Sequence, residues 1–313
     1  MPLPTIDDVR QAAARIKPYV HHTPVLTCTS LDHMAHAQLF FKCENFQKVG
    51  AFKFRGACNI VFSLSEADAQ RGVATHSSGN HGAALAHAAQ LRNIPAHIVM
   101  PHNVPQVKRD AIAGYGAHII WCEPSQADRE ATVKRVVDET GAVFAHPSND
   151  ALVIAGQGTA ALELLDDVSE LDMVLAPIGG GGLTSGLALA ISACSPRTMV
   201  AVEPAGADDA YRSLQSGTLQ PSVNPQTIAD GLRTSLGDLT FPLIQQHVEQ
   251  IVTVSEEAII RAMRHVWERM KIVIEPSSAV PVAAVLDKRI EVSGLRVGIV
   301  LSGGNVDLAS LPF

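Results

Sequence analysis

Residues 50–57 read GAFKFRGA, with Lys53 between Phe52 and Phe54 and with Gly50 and Gly56 just outside. An ammonium is costly to bury unpaired. A lone lysine in an apolar collar therefore either snorkels its head to water or is kept for chemistry. Desolvation lowers a lysine's proton affinity, and the neutral amine can attack a carbonyl to form a Schiff base. Downstream, GGGGLTSG (179–186) sets Gly179, Gly180, Gly181 and Gly182 ahead of an expected helix. Backbone N–H groups unobstructed by side chains, with a helix N-terminus behind them, make an anion cradle suited to a phosphate. The competing reading is a tight structural turn, although four consecutive glycines cost much unfolded-state entropy. No Gly-Lys-Ser/Thr follows, so a Walker loop is excluded, and the dinucleotide fingerprint fits poorly. A phosphate cradle together with an imine-forming lysine points to pyridoxal 5′-phosphate.

Two further stretches offer polar groups at strand ends. SSGNHG (77–82) supplies Ser77, Ser78, Asn80 and His81 at an expected strand-to-helix turn. Its N–H groups could hold a substrate carboxylate, Asn80 could meet a phenolic oxygen, and Ser78 could give or take a proton. The alternative is an ordinary helix cap built from Ser and Asn. In VLSGGN, Ser302 could meet a pyridine nitrogen, or be a turn serine.

Short apolar runs alternate with helical patterns along the chain, and these elements must position the candidate residues. Strands are expected at 38–44, 72–78, 96–101, 117–123, 142–147, 173–182, 198–204, 250–255 and 296–304. Helices are expected after Lys53, from the SSGNHG turn, near 105–114, over 125–141 with Ser125 and Gly141 as caps, after the glycines, over 256–270 and over 277–288. Such alternation implies an α/β fold with mostly parallel sheets covered on both faces. Ligands of open parallel sheets bind beyond the carboxyl ends of the strands, where all three polar or glycine-rich turns fall. The stretch QSGTLQPSVNPQ (215–226) reads as the softest region.

Bulk properties narrow the class. The chain has 313 residues, 47% of them hydrophobic, and a net charge of −7 with acids and bases mixed. No basic stripe suggests nucleic acid as a partner. The five cysteines are widely spaced with no CxxC pair, which argues against a disulfide framework or thiolate zinc site and for a reducing cytoplasm. The N-terminus shows no apolar signal region, and no run is long enough to span a bilayer.

Taken in order, KVGAFKFRGA, THSSGNHGAALA, VIAGQGT, APIGGGGLTSG, AVEPAGADDA, ADGLRTSLG, WERMKIVIEPSSAV and IVLSGGNVDL resemble the fold-type II, tryptophan synthase β-like, pyridoxal-phosphate family. The resemblance spans nearly the whole chain. It is strongest to the branch of serine racemases and of serine/threonine and threo-3-hydroxyaspartate dehydratases. It implies a large cofactor-binding domain from 1–71 and 149–313, a small mobile domain from 72–148, and a homodimer. By that similarity Lys53 carries the cofactor, Gly179 to Gly182 hold its phosphate, Asn80 meets its phenolic oxygen, Phe52 packs near its ring and Ser302 meets its pyridine nitrogen. The implied reaction is β-elimination from a 3-hydroxy amino acid (serine, threonine or 3-hydroxyaspartate) to a 2-oxo acid and ammonia. Lys53 and Ser78 would stand on opposite faces of the substrate, which permits racemisation as a second outlet.

The resemblance also places Ser77, Ser78, Asn80 and His81 at the substrate carboxylate and brings Arg129 near the substrate. A second carboxylate would need Arg129 or His81 as its cation. Glu203, the Ala207 carbonyl and Asp209 match a divalent-metal site, whose hard oxygens suit Mg²⁺ or else Ca²⁺ or Mn²⁺. Spacing alone reads there as an acidic loop capping a helix. Ser148 stands where the racemases have asparagine, which weighs against a nucleotide activator, although Lys108 and Arg109 keep the local charge. The sequence ends without the regulatory domain of allosteric threonine deaminases, so isoleucine feedback is not expected. Two rivals remain within the family. One is a dedicated serine or aspartate racemase. The other is a β-replacement synthase, which usually carries Asn-Pro-x-Gly before the lysine, whereas this chain reads NFQKVGAFK.

Overall fold

A computed structural model describes residues 2–194 and 197–313. The chain opens with α1 (Ile6–Ile16), capped reciprocally by Thr5 and Asp8, then β1 (Val25–Leu26), α2 (Thr29–Ala35) and β2 (Gln38–Cys43). Next come α3 (Lys53–Ser63), α4 (Glu66–Arg71), β3 (Val73–Thr75), α5 (Asn80–Arg92), β4 (Ala96–Pro101), α6 (Gln106–Gly114) and β5 (His118–Cys122). There follow α7 (Gln126–Thr140), with Ser125 as N-cap and Gly141 in the left-handed region, β6 (Val143–Phe144) and α8 (Ala151–Asp167). The remainder is β7 (Met173–Pro177), α9 (Gly182–Cys194), β8 (Thr198–Pro204), α10 (Asp209–Ser216), α11 (Thr240–His247), β9 (Gln250–Val254), α12 (Glu256–Met270), α13 (Pro276–Leu286) and β10 (Arg296–Leu301).

The strands form two sheets. One runs β1-β2-β10-β7-β8-β9, with every pair parallel except β1 against β2. The other runs β5-β4-β3-β6 and is parallel throughout. The four strands of the second sheet all lie between Val73 and Phe144, and the other six lie outside that span. Among the described residues no helix is long and apolar enough to cross a membrane. All five cysteines are free thiols.

Several expected strands end early, for one reason. The chain leaves β3 at Thr75, β6 at Phe144, β7 at Pro177 and β10 at Leu301, and the polar or glycine-rich residues beyond form turns. After β6 the N–H groups of Ser148 and Asn149 donate to His146 Nδ1, at 3.1 and 2.8 Å, instead of to a neighbouring strand. The 215–226 stretch forms no regular element beyond the end of α10 at Ser216. It is tied down by Gln220 N to Ser213 Oγ and by Ser222 N to Ser235 Oγ, both 2.8 Å.

Helix α3, which begins at Lys53, is fixed between the sheets. A Cβ on Gly156 would sit 2.6 Å from Gly56 Cα, so α3 and α8 cross at direct backbone contact. Gly56 thus serves helix packing. The adjacent Arg55 is fully buried. Its guanidinium donates to both Glu44 oxygens at 2.7 and 2.8 Å and to both Glu163 oxygens at 2.7 Å. Buried Lys42 donates to Glu163 at 2.8 Å and to the Thr23 carbonyl at 2.7 Å. Burial alone would weaken the guanidinium's hold on its proton. Glu44, and then Glu163, outweigh that and raise its pKa above the usual arginine value.

Removing Arg55 would leave two desolvated carboxylates without their cation. Arg55→Ala should lower unfolding free energy by about 3–5 kcal/mol, read from the urea midpoint at constant slope. A loss below about 1 kcal/mol would show that this network does not anchor α3.

Candidate active site

Five strand ends meet at one place. Lys53 follows β2 through a link with two short 3-10 turns (Glu44–Phe46 and Lys48–Gly50), Ser302 follows β10, and the glycines follow β7. From the second sheet, the SSGNHG turn follows β3 and the 145–149 turn follows its neighbour β6. The link before Lys53 is pinned to the end of β10 by an Ala51–Gly303 bridge and by Phe52 N to Ser302 O at 3.0 Å.

Lys53 is half-buried, and its Nζ donates to the Pro147 carbonyl at 2.6 Å. The same nitrogen lies 5.1 Å from the centre of the Phe52 ring. Desolvation pulls its pKa down to about 8, with distant Glu275 opposing. Among the described residues, the one hydrogen-bond partner of this nitrogen comes from the turn after a strand of the other sheet.

The glycine turn is packed so closely against neighbouring segments that no side chain fits there. A Cβ on Gly179 would lie 2.8 Å from Leu232 Cα, and one on Gly182 would lie 2.8 Å from Ser148 Cα. One on Gly180 would run into the Ser148 hydroxyl, and Gly181 adopts φ 80°. Behind them stands the N-terminus of α9, a three-turn helix. The residues present fit a phosphate.

The SSGNHG turn is not an ordinary cap, because no side chain accepts a hydrogen bond from the start of α5. Ser77 and Ser78 are half-buried in the turn. Asn80 Nδ2 donates to Glu275 at 3.0 and 3.1 Å, and its Oδ1 accepts from Asn305 Nδ2 at 2.9 Å. If one N–H is shared between the two Glu275 oxygens, the second Asn80 N–H is left to meet a phenolic oxygen. Burial raises the Glu275 pKa to about 7, partly offset by the Asn80 bond.

His81 departs from expectation. It is 1% exposed, and its Nε2 meets the Ala145 carbonyl at 3.1 Å. Desolvation, and then the Lys53 charge, push its pKa well below the usual value. A neutral buried imidazole cannot serve as the cation for a second carboxylate. His146 is likewise neutral, with its pKa lowered to about 4 by desolvation and by His76. Arg129, in the first turn of α7, is half-buried, its Nε buried and unpartnered, and its charge reaches His76. Lys108 is committed to Asp230 at 2.8 Å.

Ser302 is buried, and its Oγ lies 3.1 Å from Ser278 Oγ. Away from this centre, both Asp209 carboxylate oxygens are buried without a hydrogen-bond partner. Glu203 accepts from Ala210 N at 3.0 Å and Tyr211 N at 2.8 Å. Burial raises the Glu203 pKa to about 9 and that of Asp209 to about 6. Ala207 is buried in the short turn between them.

Pro147, Glu275, Asn305 and Ser278 were not singled out in the sequence. Three of the four lie inside motifs that were (IEPSSA and SGGN), but Pro147 acts through a backbone carbonyl that no side chain advertises.

A family model described as "Pyridoxal-phosphate dependent enzyme" matches residues 16–303. The β-hydroxyaspartate dehydratase of Paracoccus denitrificans is 51% identical over 314 residues, covering 100% of both chains. The human serine racemase is 49% identical, covering 97% of this chain and 92% of its own. The solved maize serine racemase superposes with a TM-score of 0.97 at 49% identity, covering 98% of this chain and 95% of the other. With a family model matching most of its length and relatives about half identical over nearly all of it, the chain belongs to the pyridoxal-phosphate dependent enzymes.

Proposed function

We propose that the chain eliminates water from a 3-hydroxy amino acid, giving a 2-oxo acid and ammonia, with racemisation of the same substrate as a second outlet. The observation that carries this is the Lys53 amine, held at 2.6 Å by Pro147 O with its pKa drawn down to about 8. When bound, pyridoxal 5′-phosphate supplies a ring that stabilises negative charge at the substrate Cα. Gly179 to Gly182 would hold its phosphate, Asn80 its phenolic oxygen, Phe52 its ring face and Ser302 its nitrogen.

The open N–H groups of the 77–82 turn receive the substrate carboxylate. Lys53, as a neutral amine, takes the α-proton. The β-hydroxyl leaves with a proton as water, and hydrolysis of the released enamine yields the 2-oxo acid and ammonia. Ser78 handles the proton on the opposite face. The uncommitted Arg129 favours a substrate with a second carboxylate, such as 3-hydroxyaspartate, a reading supported by the Paracoccus relative. The dedicated racemase remains the second reading, supported by the human and maize relatives. A divalent cation at Glu203, the Ala207 carbonyl and Asp209 completes the proposal, because two orphaned carboxylate oxygens fit a hard cation.

Capture of pyridoxal phosphate requires the neutral amine. Its rate, followed by absorbance, should climb as pH rises through about 8 and then level off. A rate still climbing toward the ordinary lysine range would refute a desolvated Lys53, and Lys53→Ala should show no imine band. Ser78→Ala should lose racemisation and keep part of its elimination on L-substrates, tested with serine, threonine and the 3-hydroxyaspartate isomers. Equal loss of both outlets would defeat the two-face account. Mg²⁺ at a hundredfold its dissociation constant should add about 2.7 kcal/mol of stability. That gain should vanish in Asp209→Asn; a melting temperature indifferent to Mg²⁺ and to chelator would remove the metal.

A further inference from the structure

Ser278, on α13, is fully buried and makes three hydrogen-bonding contacts around the turn that follows β10. It accepts from Gly303 N at 2.7 Å, reaches Gly303 O at 2.7 Å and lies 3.1 Å from Ser302 Oγ. A serine hydroxyl has one hydrogen and two lone pairs. The Gly303 N–H always occupies one lone pair. The single hydrogen must then choose between Gly303 O and Ser302 Oγ. Gly303 O also accepts from Glu275 N at 3.0 Å, so it keeps a donor when Ser278 turns away.

We propose that Ser278 is a positioning residue that acts on the cofactor ring through Ser302, the two hydroxyls forming a hydrogen-bond chain that can run in either direction. This rests on the placement of the pyridine nitrogen at Ser302 made above. In one direction Gly303 N–H donates to Ser278, Ser278 to Ser302, and Ser302 to an unprotonated ring nitrogen. In the other a protonated ring nitrogen donates to Ser302, Ser302 to Ser278, and Ser278 to the Gly303 carbonyl. Neither direction leaves a buried hydroxyl hydrogen without a partner. Reversal needs two hydroxyl rotations and no movement of heavy atoms. A serine without Ser278 lacks this freedom. Among the described residues Ser278 Oγ is the one side-chain atom within hydrogen-bond reach of Ser302 Oγ, so removing it strands the Ser302 hydrogen whenever the ring is protonated. Ser278 thus lets one ring nitrogen act as a weak electron sink, suited to rapid elimination, or as a stronger one, suited to a carbanion that survives to be reprotonated.

The test is the ring-nitrogen resonance of holoenzyme reconstituted with ring-¹⁵N pyridoxal phosphate. It is recorded against pH for the wild type, Ser278→Ala, Ser302→Ala and the double variant. The wild-type resonance should move from the neutral toward the protonated position as pH falls, while Ser278→Ala stays at the neutral position over the same range. On L-serine, Ser278→Ala should lose racemisation several-fold more than elimination. In the Ser302→Ala background, adding Ser278→Ala should cause no further shift. A wild-type resonance fixed at the neutral position, or a Ser278→Ala resonance that titrates like wild type, overturns the relay. An equal Ser278→Ala shift in the Ser302→Ala background also overturns it and leaves only a loosened turn. A resonance that ignores Ser302→Ala overturns the ring placement itself, a failure distinct from that of the relay.

Discussion

The guanidinium of Arg55, clamped by Glu44 and Glu163, fixes the geometry on which the rest depends. Lys53 opens the helix that Arg55 anchors, two residues away. The clamp joins the segment after β2, helix α3 and helix α8, and with Lys42 and Thr23 it reaches β2 and the chain before β1. Buried ion pairs of this kind add little net stability over an apolar replacement. What they supply here is one permitted orientation, because both carboxylates are satisfied bidentately only when α3 and α8 cross as they do. The Gly56–Gly156 contact sets their separation, and the clamp sets their rotation.

From that anchor the site is assembled by backbone as much as by side chain. The glycines leave the backbone of the 179–182 turn free of side chains, a carbonyl holds the lysine, and the start of α5 carries no side-chain cap. The side chains that matter most are second in line. Glu275 and Asn305 orient Asn80, and Ser278 orients Ser302. Neutral His81 and His146 fill the space beneath without adding charge beside the amine.

Much of this could be read from the sequence, because parallel strands announce themselves as apolar runs and their ends as glycine and polar turns. Lys53, the four glycines, the SSGNHG turn and Ser302 do converge. Helix α8 escaped notice because it is apolar on nearly every side and so lacks a helical period. Strand β1 has two residues and no pattern to find. Pro147 contributes a carbonyl, and any residue has one. His81 misled because residue type reports that a ring can be charged, whereas burial decides whether it is.

The bond from Lys53 to Pro147 joins helix α3 to the turn after β6 and therefore spans the two sheets. The amine's low proton affinity comes from desolvation. Any motion that parts the sheets lets water reach the ammonium and returns it toward an ordinary lysine. The strength of the base is then a mechanical quantity.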